Sequence, residues 1–150
     1  DLVSLFCYEG APVDDWVQSL RHEPTLLLAA PGAAQSRLKQ QTHRGDCDGK
    51  WAIRLGQLRC HPLPWLCQRD YDHLLWSADL NFVRGEDSLV RALWAQVPFV
   101  WHIYPQHDGA HVHKLQAFLA QMCQSFPSPV AQRVRHFFFH WNGLTPEALT

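Results

Sequence analysis

The chain has 150 residues, of which 47% are hydrophobic and 18% are charged, and its formal net charge is -1 with the histidines neutral. This length and apolar content fit one domain with its own hydrophobic core. The near-neutral charge gives no indication of nucleic acid or an anionic membrane surface as a partner. No apolar run is long enough to cross a membrane, and five cysteines without a CxxC pair favour a reducing, cytoplasmic setting over a disulfide framework.

The first half of the chain alternates between short apolar runs and amphipathic stretches. The apolar runs predict strands at residues 2–8, 25–30 and 51–58. Between the first two, Pro12 with the aspartates that follow predicts the start of a helix, which Pro24 closes, and residues 33–41 predict a second helix. The stretch His43–Lys50 is polar and contains glycine, which is typical of a loop.

The second half continues the same alternation. Apolar spacing predicts helices at residues 70–76, 86–96, 111–124 and 130–141, and strands at residues 80–83 and 98–104. Strands that alternate with helices imply a parallel sheet covered on both faces, so we expect one α/β, Rossmann-like domain. Such folds bind ligands beyond the carboxyl ends of their strands. The loops after Tyr8, Val83 and Tyr104 are therefore the candidate ligand-binding region.

The strongest local motif is Arg84–Ser88 (RGEDS), which follows a predicted strand and opens a predicted helix. Gly85 allows a tight turn, the free N–H groups of a helix start attract phosphate, and Arg84 adds a planar cationic fork. Glu86 and Asp87 could then accept hydrogen bonds from ribose or sugar hydroxyls. The alternative is a helix cap in which both acids serve the helix dipole and Arg84 is solvated.

Two further groups could contact a nucleotide. Tyr104 and Gln106 lie between a predicted strand and a predicted helix, so the Tyr104 hydroxyl could donate to a phosphate or simply end the strand in water. Aromatic rings that could hold a flat base occur at the end of the first strand and in the proline-rich stretch before residue 70. These residues are Phe6, Tyr8, Trp65 and Tyr71, with Gln68 as a source of edge hydrogen bonds; core packing is the alternative for all four rings.

Metal and nucleophile chemistry receive little support from the sequence. The clustered histidines, His102, His107, His111 and His113, match no zinc-binding spacing. Ser88 and Cys67 lie in no nucleophile-elbow motif and have no assignable base. We therefore expect no metal and no resident cofactor.

Four segments that occur in order carry a specific resemblance to a known family. They are SLFCYE at residues 4–9, LPWLCQRDYDHLLW at residues 63–76, DLNFVRGEDSLVRALWA at residues 79–95 and PFVWHIYPQ at residues 98–106. Together they resemble the bacterial protein-arginine rhamnosyltransferases that act on elongation factor P. The resemblance continues through Lys114 to about Gln124, and more loosely to WNG at residues 141–143.

The resemblance implies the C-terminal half of a GT-B glycosyltransferase. In that family one Rossmann-type domain binds dTDP-β-L-rhamnose and a second, N-terminal domain binds the protein acceptor, with inversion at the anomeric carbon. Residues 1–150 then form the nucleotide-sugar (donor) domain, truncated at its C-terminus, with the acceptor domain absent from this chain. The full protein is expected to be a cytoplasmic enzyme without metal, membrane or nucleic-acid partners, and this chain alone to be inactive.

The resemblance also implies roles for the candidate residues. Phe6, Trp65 and Tyr71 match the thymine pocket, with Tyr8 and Gln68 beside it, and Arg84 and Tyr104 match the diphosphate contacts. Glu86, Asp87 and Ser88 match the polar group around the phosphates and sugars, and Gly85 and Gln106 complete the expected donor-binding set. Arg84 and Glu86 are the catalytic candidates, whereas the general base is expected in the N-terminal domain. The family more often has Phe where this chain has Trp65 and Tyr71.

Two other readings remain open at the level of sequence. One is a GT-B donor domain for another nucleotide sugar, because the aromatic residues alone do not separate thymine from uracil. The other is a nucleotide-binding module that has lost catalysis. Binding preference between thymine and uracil nucleotides separates the first of these from a rhamnosyltransferase.

Overall fold

A computed structural model of the chain describes residues 1–41, 46–47 and 53–144. The predicted loop His43–Lys50 lies outside the described residues except at positions 46–47, where the backbone pairs as a short strand rather than forming a loop. Of the strand predicted at residues 51–58, the first two positions also lie outside the described residues.

The described residues form seven strands and six helices. The strands are β1 (Leu2–Leu5), β2 (Thr25–Ala29), β3 (Asp46–Cys47), β4 (Ile53–Leu55), β5 (Leu58–Pro62), β6 (Leu80–Arg84) and β7 (Phe99–His102). The helices are α1 (Val13–Ser19), α2 (Ala33–Gln40), α3 (Gln68–Ser77), α4 (Gly85–Ala95), α5 (Ala110–Met122) and α6 (Ser128–Trp141). Every helix predicted from the sequence is present, with ends displaced by a few residues.

All seven strands form one sheet in the order β3-β4-β5-β2-β1-β6-β7. The five strands β5, β2, β1, β6 and β7 pair in parallel, which confirms the predicted α/β class. The sheet is not wholly parallel, however, because β3 and β4 pair antiparallel and extend one edge. The prediction of a single strand at residues 51–58 is wrong. A turn at Gly56, which has a φ of 61°, reverses the chain there, so that β4 pairs antiparallel with β5.

The strand order places a crevice between β1 and β6. The strands β2 and β5 follow β1 in the chain and lie on one side of it, whereas the later strands β6 and β7 lie on its other side. At such a reversal the connections leave in opposite directions, so an open crevice forms at the carboxyl ends of the two central strands. The strand predicted over residues 2–8 ends at Leu5, and Phe6–Tyr8 therefore lie beyond β1, next to Arg84 at the end of β6.

Aromatic packing holds α6 against the sheet. The ring of Phe82 on β6 lies 4.4 Å, centroid to centroid, from both Trp16 and Trp141. Phe138, Phe139 and Trp141 are almost fully buried, so the aromatic residues near the end of α6 form a buried face. The next residue, Asn142, hydrogen-bonds the end of β7, so this packing also supports the backbone that leads to Tyr104.

Candidate nucleotide-sugar site

The Arg84 guanidinium stands between two aromatic rings at the crevice. Its Cζ atom lies 4.1 Å from the centroid of the Phe6 ring and 4.8 Å from that of Tyr8. Its Nη1 donates a hydrogen bond to the carbonyl oxygen of Cys7 at 3.1 Å. Contact with two ring faces and a carbonyl holds the planar cation in one orientation. Within the described part of the chain no other acceptor bonds the guanidinium, so its other N–H groups remain for a ligand.

An aromatic cavity of about 200 Å³ opens on the Phe6 side of Arg84. Six predicted donor-binding residues line it: Phe6, Trp65, Gln68, Tyr71, Asp87 and Ser88. The sequence interpretation missed the rest of its lining, which is Ala30, Pro31, Leu63, Pro64, Leu66, Leu74 and Arg91. Trp65 forms an outer wall and is 73% exposed, so a large flat surface faces solvent. Such a cavity suits a flat, largely apolar ring.

The Tyr71 hydroxyl is a buried polar group in the lining of the aromatic cavity. The Tyr71 ring meets the Phe6 ring edge-on at 6.0 Å, but its hydroxyl makes no hydrogen bond of ordinary geometry to any residue that the structure describes. Burial raises the pKa of this phenol above its usual value, an effect that Ser88 and Arg84 oppose. Buried polar groups in proteins are nearly always hydrogen-bonded. A ligand atom in the cavity would supply the missing partner.

A second, polar cavity of about 290 Å³ opens on the Tyr8 side of Arg84. Its predicted members are Tyr8, Gly85, Glu86, Tyr104 and Gln106, and its unpredicted members are Ile103, His111 and Lys114. The Tyr8 and Tyr104 rings meet edge to face at 5.5 Å, and Tyr104 is 61% exposed. The cavity therefore presents hydroxyl, carboxylate and ammonium groups at its surface, which suits a charged, hydroxyl-rich ligand.

Glu86 has a partner that the sequence interpretation did not identify. The Lys114 Nζ atom on α5 lies 2.8 Å from the Glu86 Oε1 atom, and this hydrogen bond lowers the pKa of the Glu86 carboxyl. On the neighbouring loop, the backbone N–H of Gln106 donates to His111 Nδ1 at 3.0 Å. No local pattern identifies Lys114 or His111; both lie within the family resemblance.

The three predicted polar residues at the start of α4 do not line the same cavity. Asp87 and Ser88 line the aromatic cavity, whereas Glu86 lines the polar one. Both acids lie in the first turn of this helix, as the alternative based on the helix dipole supposed, but Arg84 is not solvated, because it contacts Phe6 and Tyr8. Among the described residues no side chain donates or accepts a capping hydrogen bond at this helix start. The first-turn N–H groups of an uncapped helix are free to bind an anion. Trp101 Nε1 donates to the Gly85 carbonyl at 2.8 Å and stabilises the turn.

His102 is a buried residue behind the site that the sequence interpretation considered only as a metal ligand. Its Nδ1 accepts a hydrogen bond from the Tyr8 backbone N–H at 3.3 Å, so the neutral ring carries its hydrogen on Nε2. Burial, assisted by the nearby Arg84 charge, lowers the pKa of His102 to about 4. The imidazole is therefore uncharged at neutral pH and acts as a support for Tyr8. Among the described residues no group of three or more His, Cys, Asp or Glu could hold a metal ion.

The structure brings the predicted site residues together at the carboxyl ends of the central strands. Every predicted donor-binding residue lines one of the two cavities or, in the case of Arg84, contacts an aromatic ring from each. Their binding of a ligand remains a prediction. Over the described residues, no helix combines the length and apolar character that crossing a bilayer requires.

Comparison with known proteins identifies relatives that all belong to one family. Residues 1–150 match the family model described as Elongation-Factor P (EF-P) rhamnosyltransferase EarP. A curated protein-arginine rhamnosyltransferase of Pseudomonas aeruginosa is 42% identical over 145 residues, which cover 95% of this chain and 38% of that protein. The enzyme of the same name from Pseudomonas putida is 44% identical over 121 residues, 79% of this chain and 32% of that protein.

A solved structure, described as the structural basis for EarP-mediated arginine glycosylation of translation elongation factor EF-P, matches with a TM-score of 0.80 at 37% identity. The match covers 94% of this chain and 45% of that chain. The chain thus spans less than half the length of the relatives that it matches.

Proposed function

The chain belongs to the family of elongation-factor P rhamnosyltransferases, EarP, and from this premise we propose that it is the donor-binding domain of an inverting GT-B glycosyltransferase. Its ligand is dTDP-β-L-rhamnose. The full protein transfers L-rhamnose from this donor to an arginine side chain of elongation factor P. No metal takes part in this proposal.

One observation carries the proposal. The Arg84 guanidinium is stacked between Phe6 and Tyr8 at the crevice, with an aromatic cavity on one side and a polar cavity on the other. A nucleotide sugar has the same order of chemistry: a flat base, an anionic diphosphate and a hydroxyl-rich sugar. The arrangement therefore suits a ligand that lies across Arg84 with its base among the aromatic rings.

The aromatic cavity offers both parts of base recognition. Phe6 and Trp65 supply ring surfaces, and the broad exposure of Trp65 leaves a face free for stacking. The Tyr71 hydroxyl, which is buried without a hydrogen bond of ordinary geometry in the described part of the chain, and the Gln68 amide supply edge hydrogen bonds. A thymine ring, which is small, flat and bears a methyl group, fits a lining that is mainly apolar.

The groups beside Arg84 suit a diphosphate that gains charge during reaction. The guanidinium, the uncapped start of α4 and the Tyr104 hydroxyl are all donors that surround the junction of the two cavities. Donors that are already oriented towards developing negative charge lower the barrier without reorganisation. Glu86 and Gln106 line the polar cavity, where they can orient the hydroxyl groups of the sugar.

The proposed reaction forms one bond and breaks another at the anomeric carbon. A guanidinium nitrogen of the acceptor attacks the carbon opposite the leaving group, and the bond from that carbon to the diphosphate oxygen breaks. The electron pair of this bond leaves with dTDP, and Arg84 with the α4 N–H groups stabilises its charge. The proton of the attacking nitrogen passes to a base that we place in the acceptor-binding domain.

The thiols are compatible with a cytoplasmic location, which forms part of the proposal. Four cysteines in the described part of the chain are free, and three of them are buried. Burial raises the pKa of the Cys7 and Cys60 thiols to about 12. Protonated, enclosed thiols match a reducing compartment, in which disulfides do not stabilise the fold.

Calorimetric titration with dTDP-rhamnose, dTDP and UDP tests the proposal. We expect both dTDP ligands to bind more tightly than UDP, and Arg84→Ala to weaken dTDP binding by about tenfold or more because a charged hydrogen-bond donor is lost. Arg59→Ala is the matched control, since Arg59 is exposed near the amino end of β5. Absence of dTDP binding by a chain that circular dichroism shows to be folded would overturn the proposal.

A further inference from the structure

Lys114 occupies a place in the polar cavity that no sequence motif indicates. It lies on α5, and its Nζ atom reaches across to Glu86 Oε1 on α4 at 2.8 Å, over a sequence separation of 28 residues. The two side chains are half and about three-quarters exposed. As an isolated surface ion pair this contact would contribute little to stability. Its position beside Tyr8, Tyr104 and Gln106 gives it a different significance.

Charge balance favours a role for Lys114 in binding. The described site carries two carboxylates, Glu86 and Asp87, against the single positive charge of Arg84. Without Lys114 a diphosphate would therefore approach a site of net charge -1. Arg91, which lines the aromatic cavity, donates from Nη1 to both carboxylate oxygens of Asp72 at 2.8 Å. Lys114 is thus the second cation that is positioned to meet the ligand.

The geometry of the ammonium allows both contacts at once. Lysine has three N–H donors on a flexible stem, and the bond to Glu86 uses one of them. The other two can reach an anion in the polar cavity while Glu86 stays in place. We propose that Lys114 is a further donor-binding residue, which bridges the Glu86 carboxylate and the diphosphate of the ligand. This inference rests on the proposed function, because it assigns a group to the same ligand.

Paired titrations with dTDP and thymidine, followed by NMR, test the inference. Lys114→Met should weaken dTDP binding by about tenfold or more, because a charged donor to phosphate is lost, and should leave thymidine binding unchanged. Lys114→Arg, which keeps the charge, should restore part of the affinity. Arg59→Met removes the same charge at the amino end of the sheet and should change neither affinity.

The same Lys114 substitution in a chain that carries Glu86→Gln shows whether Lys114 contacts the diphosphate directly or only neutralises the charge of Glu86. If Lys114 contacts the diphosphate, Lys114→Met should still weaken dTDP binding in a chain that carries Glu86→Gln. If it acts only by cancelling the Glu86 charge, the effect should disappear there, and the inference is wrong. Equal losses of dTDP and thymidine affinity would also overturn it, since they would indicate a general disturbance of the site.

The two proposals fail in different ways. If the unaltered chain binds dTDP and Lys114→Met binds it equally well, the inference about Lys114 fails and the proposed function stands. If the unaltered, folded chain binds no dTDP, the proposed function fails and the inference fails with it.

Discussion

The Tyr8 hydroxyl occupies the space that a side chain on Gly85 would need. A Cβ atom built on Gly85 would lie 2.8 Å from this hydroxyl oxygen, which is closer than real Cβ contacts allow. Gly85 also has a φ of 70°, a conformation that residues with a side chain adopt at a cost. The tight turn at the start of α4 and the position of Tyr8 beside Arg84 therefore depend on the same glycine.

Gly85→Ala should weaken both stability and binding. The backbone conformation alone should cost roughly 1–2 kcal/mol of unfolding free energy, and displacement of Tyr8 should lower dTDP affinity further. Gly109→Ala is the matched control, because Gly109 has a φ of 75° but nothing within 4 Å of the added Cβ atom. Urea unfolding and dTDP titration of both variants are the measurements. Equal dTDP affinities in the two variants would show that contact with Tyr8 is unimportant.

Trp65 should contribute its ring rather than its indole nitrogen. Removing the ring in Trp65→Ala should weaken dTDP binding by the value of one stacking contact, roughly 1–3 kcal/mol, whereas Trp65→Phe should retain most of the affinity. Trp94→Ala is a suitable control, since Trp94 is equally exposed, at 74%, and lines neither cavity. Calorimetric titration of the three variants is the test. The prediction is wrong if Trp65→Ala and Trp94→Ala bind dTDP alike.

His102 should make the chain less stable in acid. Its pKa is about 4 in the folded state, against 6.5 ordinarily, so between these values the unfolded chain binds the extra proton. The stability that the neutral ring contributes is fully present above pH 6.5 and is lost as the pH falls towards 4. The loss at pH 4.5 should be on the order of 2–3 kcal/mol.

His102→Asn removes this titration while keeping an acceptor near the Tyr8 N–H. The stability of the unaltered chain relative to this variant should therefore fall between pH 7 and pH 4.5, as measured by urea unfolding at each pH. His140→Asn, at an exposed position on α6, is the control for the same substitution outside the core. A stability difference between the chain and His102→Asn that does not change with pH would contradict the prediction.

Asn142 should support the loop that carries Tyr104. Its Oδ1 accepts from the Ile103 N–H at 2.9 Å, and its Nδ2 donates to the carbonyl oxygens of Trp101 and Phe138 at 2.9 and 2.8 Å. Asn142→Ala leaves the Ile103 N–H without its acceptor and removes the side-chain donor to Trp101, whereas the Phe138 carbonyl keeps the backbone N–H of residue 142. The substitution should cost roughly 1–3 kcal/mol of unfolding free energy. It should also expose the Ile103 amide to rapid hydrogen exchange.

Asn142→Asp separates the accepting role of the Asn142 side chain from its donating role. It keeps an acceptor for the Ile103 N–H but loses the donors to both carbonyl groups, so it should destabilise the chain and still protect the Ile103 amide. Urea unfolding and amide exchange followed by NMR provide both measurements. Unchanged protection of Ile103 in Asn142→Ala would mean that Asn142 does not hold this backbone.

The sequence by itself determined the fold class and the segments that form the site. Apolar periodicity and turn residues are local properties, so the alternation of strands and helices could be predicted from them. The position of Arg84–Ser88 between a strand and a helix, and of Phe6 and Tyr8 at the end of the first predicted strand, placed these residues at the carboxyl ends of parallel strands. The hairpin at Gly56 was missed because a loosely alternating run does not reveal where the chain turns back.

Only the tertiary structure decided which of these residues touch. Arg84 bonds a carbonyl 77 positions away, and Tyr8 bonds a histidine 94 positions away. The division into an aromatic and a polar cavity, the unpaired Tyr71 hydroxyl and the pairing of Lys114 with Glu86 depend on the packing of separate elements across the crevice. Sequence periodicity specifies the face on which a side chain lies but not its partner on another element, because that partner is chosen by the packing of the whole sheet and its helices.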